Sequence, residues 1–558
     1  MASTTKNIDP ISLEVVRNKL DGIANEMQST LLRSSFSTVV KEGLDASASL
    51  FTLEGETLAQ ALAIPIHLAT LIPVVKTMIR EFPVEQASEG DLFIMNDPYH
   101  GGTHLPDVAV VMPLFHEGRA FAYAAAMTHH QDIGGMSPGS VPPNATEIYQ
   151  EGIRIPPLKL RDRGVMNDTL MKMLELNVRI PKTFRGDLGA QIAACTVGSR
   201  RMAEVAGRYG HNHCCAIFAE LLDRSEALTR AALAEIPDGT YRYVDYLDND
   251  GIDLDQSVRI EVAVTVAGDH LHCDFEGSSP QTRGPFNAVP SGAQAAAYFA
   301  VRALTDPSIP TNGGCFRPVS LHLPEGSLVN PIEPAPVNSR TATLKRIASV
   351  LIGALKNALP DKVPADSASE LLVLMFGGTR SNGQRYVVGE FDAGGSGGGP
   401  RRDGVDVIET DGSNCMNLPA EALELEAPIR VHQMAIREDS GGPGTWRGGL
   451  GCVREFEFLH GEVTLTHRGE RHFYAAQGSQ GGGAGEKAES IIIRSNGEQE
   501  VIASKLLTTV KAGDRLIVKT AGGGGYGDPM QRDRKAVTAD LENGKVSERA
   551  AREIYGLG

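Results

Sequence analysis

The stretch Asn96-Asp97-Pro98-Tyr99-His100-Gly101-Gly102-Thr103-His104-Leu105-Pro106-Asp107 opens into the apolar run Val108–Leu114. The chain then turns at Phe115–Arg119, returns along Ala120–Met127 and ends in Thr128-His129-His130-Gln131-Asp132-Ile133-Gly134-Gly135. Two strand-length apolar runs around a short turn predict an antiparallel hairpin. Pairing them sets the His104/Asp107 end of one strand beside the His129/His130 end of the other. Imidazole and carboxylate donors meeting at one edge suit Zn, Mn or Fe(II), with coordination positions left open to activate a water. Neighbouring strand residues point to opposite faces, so His129 and His130 are not expected to serve one metal equally. Whichever is not a ligand is free to hydrogen-bond a substrate or a ligand. The plainer reading is that these histidines satisfy loop backbone beside tight glycine turns. Two histidines and several aspartates at one open end favour the metal.

Outward from the hairpin, the chain reads as alternating helical and strand territory. Asp9 as N-cap and Pro10 at the first helical position precede Val16, Leu20, Ile23, Met27 and Leu31 on one face, which predicts an opening helix. Short apolar runs at Ala48–Thr52 and Leu92–Met95 predict strands of the hairpin's sheet. Residues 167–235 predict two or three helices. Alternation from Gly239 to Phe275 predicts a second hairpin turning at Ala267-Gly268-Asp269. A strong helix is expected over Thr341–Leu359, stopped by Pro360, and a small closing helix is capped by Ser547. The fold class is therefore α+β: a multi-lobed mixed α/β chain with a β-rich C-terminal half. The expected division is 1–235, an α/β region carrying the His/Asp site; 236–340, a β-rich region; and 341–558, a helix followed by a Gly-rich β region.

Composition excludes several functions. The 558 residues carry 53 Lys and Arg against 69 Asp and Glu, a net charge of −16, and no basic run, which argues against nucleic-acid binding. The longest apolar stretch, Leu58–Val75, is broken by Gln60, Pro65, His67 and Pro73, so no membrane span is expected. The start Met1–Lys6 lacks the pattern of a signal peptide. Seven cysteines without a CxxC pair match cytoplasmic usage. The expectation is a soluble cytoplasmic protein.

Other motifs read as weaker candidates. His211-Asn212-His213-Cys214-Cys215 has ligand-type residues at the wrong spacing. His270, His272 and Asp274 alternate as the solvent face of a strand. His467-Arg468-Gly469-Glu470-Arg471-His472 could line a pocket, but a solvated charge cluster is favoured. Lys41-Glu42-Gly43-Leu44-Asp45 places two carboxylates in a loop. The 61 glycines, many in runs such as Gly394–Gly399, Gly448–Gly451, Gly481–Gly485 and Gly522–Gly525, lack the GxxxxGK[ST] form and the strand-to-helix setting of a dinucleotide loop. They are read as turns and close backbone approaches, and no ATP site is expected in this chain.

The histidine-bearing motifs, with Asp9–Glu14, Lys41–Ser47, Asp439–Gly451 and Gly522–Pro529, resemble the signature of the hydantoinase B / 5-oxoprolinase family over nearly the whole chain. The resemblance implies the hydrolytic B-type subunit of an ATP-dependent amidohydrolase opening a small cyclic amide: a hydantoin, N-methylhydantoin, 5-oxoproline or lactam. An A-type partner subunit would bind ATP and phosphorylate the amide oxygen, within a heterotetramer or larger assembly. It further implies a divalent metal (Zn, Mn or Fe) on His104, Asp107 and His129, and catalytic roles for Asp45 and His130. Asp97, His100 and Asp132 are then neighbours of the ligands or of the substrate. Two alternatives remain: a subunit of an acetone- or acetophenone-type carboxylase, and a non-catalytic scaffold completing the partner's site.

Overall fold

The computed structural model describes residues 8–61, 64–67 and 69–557. The reading of Met1–Lys6 lies outside the described residues, as do Leu62, Ala63 and Leu68 of the Leu58–Val75 stretch. The architecture is α+β, with helices around four sheets. Helix α1 (Pro10–Ser34) starts where its cap predicts, the Asp9 carboxylate accepting from the N–H groups of Ile11 and Ser12. Its stripe of Leu13, Val16, Leu20, Ile23, Met27 and Leu31 is fully buried, each such side chain contributing about 1.5–3 kcal/mol relative to exposure.

The first sheet has the order β2 (Thr57–Gln60), β1 (Ala46–Phe51), β5 (Arg119–His129), β4 (Asp107–His116), β3 (Leu92–Met95), β6 (Leu158–Asp162) and β7 (Val165–Met166). The hairpin read from the sequence is its centre, with Asp107 paired to His129 and His116 to Arg119. Both faces of this sheet are covered, which explains why β4 and β5 are apolar throughout. Even-numbered residues (Val108, Val110, Ala124, Ala126) pack toward α1. They share that core with α4 (Asp168–Leu176), α5 (Pro181–Tyr209) and α6 (His211–Leu233). Odd-numbered residues (Ala109, Val111, Tyr123, Ala125, Met127) pack on α3 (Leu71–Glu81), which follows a short α2 (Thr38–Lys41) and β1–β2 in the chain.

The second sheet, β11 (Val319–His322), β10 (His270–Asp274), β9 (Val258–Ala267) and β8 (Gly239–Leu247), contains the predicted second hairpin. Two helices, α7 (Pro290–Leu304) and α8 (Arg340–Ala354), share its core. Helix α8 ends at Ala354 and tightens into a 3-10 turn at Leu355–Asn357 rather than continuing regularly to Leu359. Two further sheets make up the C-terminal half. One has the order β13 (Arg385–Ala393), β12 (Leu371–Thr379), β16 (Glu462–Arg468), β19 (Lys505–Lys511). The other has the order β14 (Ile429–Ile436), β15 (Cys452–Phe458), β20 (Arg515–Lys519), β17 (Glu489–Ile493), β18 (Gln499–Val501).

The glycine runs are structural. Segments 394–399, 441–451, 478–485 and 522–527 lie against one another, and their amides bond across: Gly449 N to Ser396 O (2.7 Å), Gly523 N to Gly449 O (2.9 Å), Gly442 N to Gly523 O (2.8 Å) and Gly525 N to Gly483 O (2.9 Å). Backbone sits where side chains would be, so only glycine fits. No helix among the described residues is long and apolar enough to cross a membrane.

Candidate metal centre

Strand register assembles the site. Odd-numbered residues of β1, β5 and β4 point toward the α3 side, and the three strands end level with one another. Asp107 pairs with His129, and the His129 amide donates to the carbonyl of Asp45, the residue preceding β1, at 3.1 Å. Asp45, His129 and Asp107 thus form a row across three adjacent strands. His104, from the turn before β4, places its Nε2 3.2 Å from Asp107 Oδ1, and its ring centroid lies 5.0 Å from that of His129.

The structure adds a donor that sequence reading missed. His67, in the 3-10 turn Pro65–His67 before α3, is buried with Nε2 3.5 Å from Asp45 Oδ1 and 4.0 Å from Asp107 Oδ2. Donor atoms of Asp45, His67 and Asp107 all lie within 4.8 Å of one another. The sequence held one signal, an imidazole inside an otherwise apolar run, and nothing in the linear order tied it to the hairpin.

These residues line a cavity of about 30 Å³. Its remaining walls are Arg340 and Thr341 from the start of α8, Val373, Met375 and Phe391 from β12 and β13, Ser413, Cys415, and Arg468 at the end of β16. Ser413 also lines a larger cavity of about 540 Å³. The favoured reading of 467–472 as a solvated cluster is corrected here. His467, Arg468, Glu470 and Arg471 are all buried, because β16 lies inside its sheet and the cluster packs against β8 of the second sheet, where Asp245 pairs with Arg471 at 3.0 Å.

The donor chemistry fits a metal ion. His104 Nδ1 is 2.9 Å from the Asn338 carbonyl, which can only accept, so Nδ1 carries the proton and Nε2 presents a bare lone pair to the cavity. His104 Nε2, Asp107 Oδ1, His129 Nδ1 and His67 Nδ1 are buried without hydrogen-bond partners, a state that carries a free-energy penalty unless something else meets them. Burial holds His104 and His129 below the usual histidine range, and His67 down to about 4, so the imidazoles are neutral, as ligands must be. Burial and then the neighbouring Asp107 hold Asp45 well above the usual carboxylate range. Glu151 accepts from the amides of Val337 and Asn338 at 2.9–3.2 Å and so positions the carbonyl that orients His104; burial pushes it up to about 8.

Other predicted residues lie elsewhere. His130, expected to be catalytic, does not line the cavity. One residue on from His129, it faces α5, with Nε2 3.1 Å from Gln191 Oε1 and its ring 4.7 Å from Phe184. Gln191 in turn donates to the carbonyls of Val108 and Ala126, so His130 braces the hairpin. Replacing His130 with Ala is expected to leave metal content unchanged and to destabilise the fold by about 2–4 kcal/mol, as core truncations do. Thermal melts alongside metal analysis check both; loss of metal without loss of stability would reverse the assignment. Asp132 binds the amides of Gly134, Gly139 and Arg179 and the Arg179 guanidinium. Asp97 caps the 3-10 turn Pro98–His100 and pairs with Arg154 at 2.7 Å. His100 sits 3.2 Å from Asp97 with its side chain 47% exposed. All three shape loops and none lines the cavity. His211–Cys215 forms the first turn of α6, with Cys214 buried against Val205 O.

The Hydantoinase B/oxoprolinase family model matches residues 9–529. This chain belongs to that family. Among curated family members, the caprolactamase subunit beta of Pseudomonas jessenii is 34% identical over 568 residues, covering 99% of this chain and 96% of the relative. 5-Oxoprolinase 1 of Arabidopsis thaliana is 31% identical over 93% of this chain but only 42% of its own length, so this chain corresponds to less than half of that oxoprolinase. The solved ATP-dependent caprolactamase from Pseudomonas jessenii superimposes with a TM-score of 0.91 at 32% identity, covering 99% of this chain and 96% of that one. A nucleotide-free acetone carboxylase structure shares the fold, with a TM-score of 0.91 at 21% identity over 98% of this chain and 79% of that one.

Proposed function

We propose that this hydantoinase B/oxoprolinase family member is the hydrolytic subunit of an ATP-dependent enzyme that opens a small cyclic amide. An A-type partner subunit would activate the amide by phosphorylating its oxygen. The observation that carries this reading is the buried ring of neutral imidazoles and carboxylates with unmet lone pairs.

His104, Asp107 and His129 would hold a divalent metal, with Asp45 and His67 beside them. A metal bound there would supply the acidification of a water toward a pKa of about 7. Asp45, on the same face, would take the proton that water loses. The water oxygen bonds to the activated amide carbon, the C–N bond breaks with its electron pair going to nitrogen, and nitrogen takes up a proton. The acyl phosphate that results is hydrolysed by a second water to a carboxylate and inorganic phosphate. Departure of phosphate before the C–N bond breaks would only regenerate the amide.

Co-expression with an A-type subunit encoded in a neighbouring reading frame tests the reading. ATP turnover and ring opening are measured against hydantoin, 5-oxoproline and caprolactam, with acetone plus bicarbonate as the carboxylase arm. Ring opening that needs both subunits and ATP, but no bicarbonate, is the expected result. Turnover only with a ketone and bicarbonate would replace the hydrolase with a carboxylase.

A further inference from the structure

Seven arginines are buried among the described residues: Arg340, Arg346, Arg447, Arg454, Arg468, Arg471 and Arg532. Six meet a carboxylate, as buried cations must. Arg346 and Arg471 pair with Asp245, Arg454 with Glu390 and Asp392, Arg447 with Asp406, Arg532 with Asp403, and Arg340 with Asp107. Arg468 is the exception. Among the described residues its hydrogen bonds run from Nη1 alone, to the Asn338 carbonyl and Ser339 Oγ, both at 3.4 Å. A guanidinium has five N–H donors in a planar fork, so most of this one is free, and it lies against the cavity that holds the metal-ligand set.

Its surroundings are set for an anion. Burial and then the nearby Arg340 guanidinium pull Arg468 down to about 9, against the opposing effect of the Glu151 and Glu470 carboxylates. Arg340 has an unpartnered, buried Nε in the same wall. Helix α8 starts there as well. Its N-cap Ser339 makes no side-chain capping bond; the N–H groups of Ser339, Arg340 and Ala342 bond the carbonyls of Pro285, Val337 and Ser339, which leaves that of Thr341, a residue lining the cavity, to favour negative charge. Asp45, Asp107, Glu151 and Glu470 are the carboxylates near the arginine pair; Asp107 pairs with Arg340, and none of them pairs with Arg468.

We infer that Arg468, with Arg340 and the first turn of α8, binds the phosphoryl group of the activated amide beside the metal-ligand set. This rests on the reading above, that the substrate arrives phosphorylated. A phosphoryl dianion matches two guanidinium forks and requires no chemistry from either arginine. Held there, the phosphoryl oxygens fix the amide carbon toward Asp45 and Asp107.

The test uses the purified full-length chain and inorganic phosphate as the probe, by titration calorimetry, with a parallel bicarbonate arm. Phosphate is expected to bind the wild type more tightly than bicarbonate does. Arg468→Gln is expected to weaken phosphate binding by about tenfold or more, the scale of one charge-assisted contact. Arg468→Lys, which keeps the charge but loses the fork, should fall between them and guards against a folding defect in the first variant. Metal content should be equal in all three. Phosphate affinity unchanged in Arg468→Gln, no phosphate binding by the wild type, or tighter binding of bicarbonate would each overturn the inference. If the reconstituted enzyme fails to open cyclic amides while the phosphate series behaves as expected, the anion site stands and the amidase reading falls.

Discussion

Asp107→Asn is expected to empty the candidate centre and to reduce ring opening, in the presence of the partner, by roughly a hundredfold to a thousandfold, the scale of losing one preorganised charged group at a reacting centre. Asp107 is the hub of the cavity. Its Oδ1 faces His104, its Oδ2 bonds Thr103 Oγ1 and the Arg340 guanidinium, and His67 lies 4.0 Å away. Burial opposes ionisation of this carboxylate, but its surroundings, with the Arg340 guanidinium bonded to it, hold it well below its ordinary range. The amide is isosteric but neutral, so a ligand charge and the counter-ion of Arg340 vanish together while the cavity keeps its shape. Metal content by elemental analysis, the melting temperature and the steady-state rate are measured on one preparation. A variant that keeps both full metal content and full activity would remove Asp107 from the site.

Gly523→Ala is expected to prevent accumulation of folded protein. A Cβ at residue 523 would sit 2.0 Å from the Ser396 carbonyl oxygen and 2.8 Å from the Gly397 nitrogen. Both neighbours are backbone, and Gly523 is itself held by bonds to Gly449 and from Gly442, so no rotamer change relieves the clash. Gly22→Ala is the matched control. Gly22 lies within α1 with nothing inside 4 Å of its would-be Cβ, and the substitution should stabilise by up to about 1 kcal/mol through helix propensity. Soluble yield and thermal melts of the two variants check the contrast. A Gly523→Ala protein that folds and melts like the wild type would show that the glycine segments are not packed as described.

Much of the centre was legible because its residues are local to one hairpin. The strand period of two predicts that the His104/Asp107 end meets the His129/His130 end and that the two histidines face opposite ways; a bulge at Leu114/Phe115 and the tighter turn after His116 are what set Asp107 opposite His129. His130 nevertheless carried a catalytic expectation through the family resemblance, and its packing against Phe184 and Gln191 on α5 gives it a bracing role instead. Asp45 entered by resemblance alone; the pairing of β1 with β5 is what brings it level with His129.

His67, Arg340 and Arg468 were not legible, for a common reason. Each is brought in by packing between elements far apart in the chain: a turn before α3, the start of α8 and the end of β16. Composition misleads at 467–472, where charged residues read as a wet surface although each charge but one finds a buried partner.

What the sequence determined by itself was the set of local periods: the capped first helix, the two hairpins, the excess of glycine without a phosphate-loop pattern, and the His/Asp edge of the central strands. Tertiary structure alone decided which polar groups face a common cavity, because facing depends on register and packing across hundreds of residues. It also decided that the glycines are an interlocked backbone assembly, since only the close approach of four distant segments reveals that no side chain could fit between them.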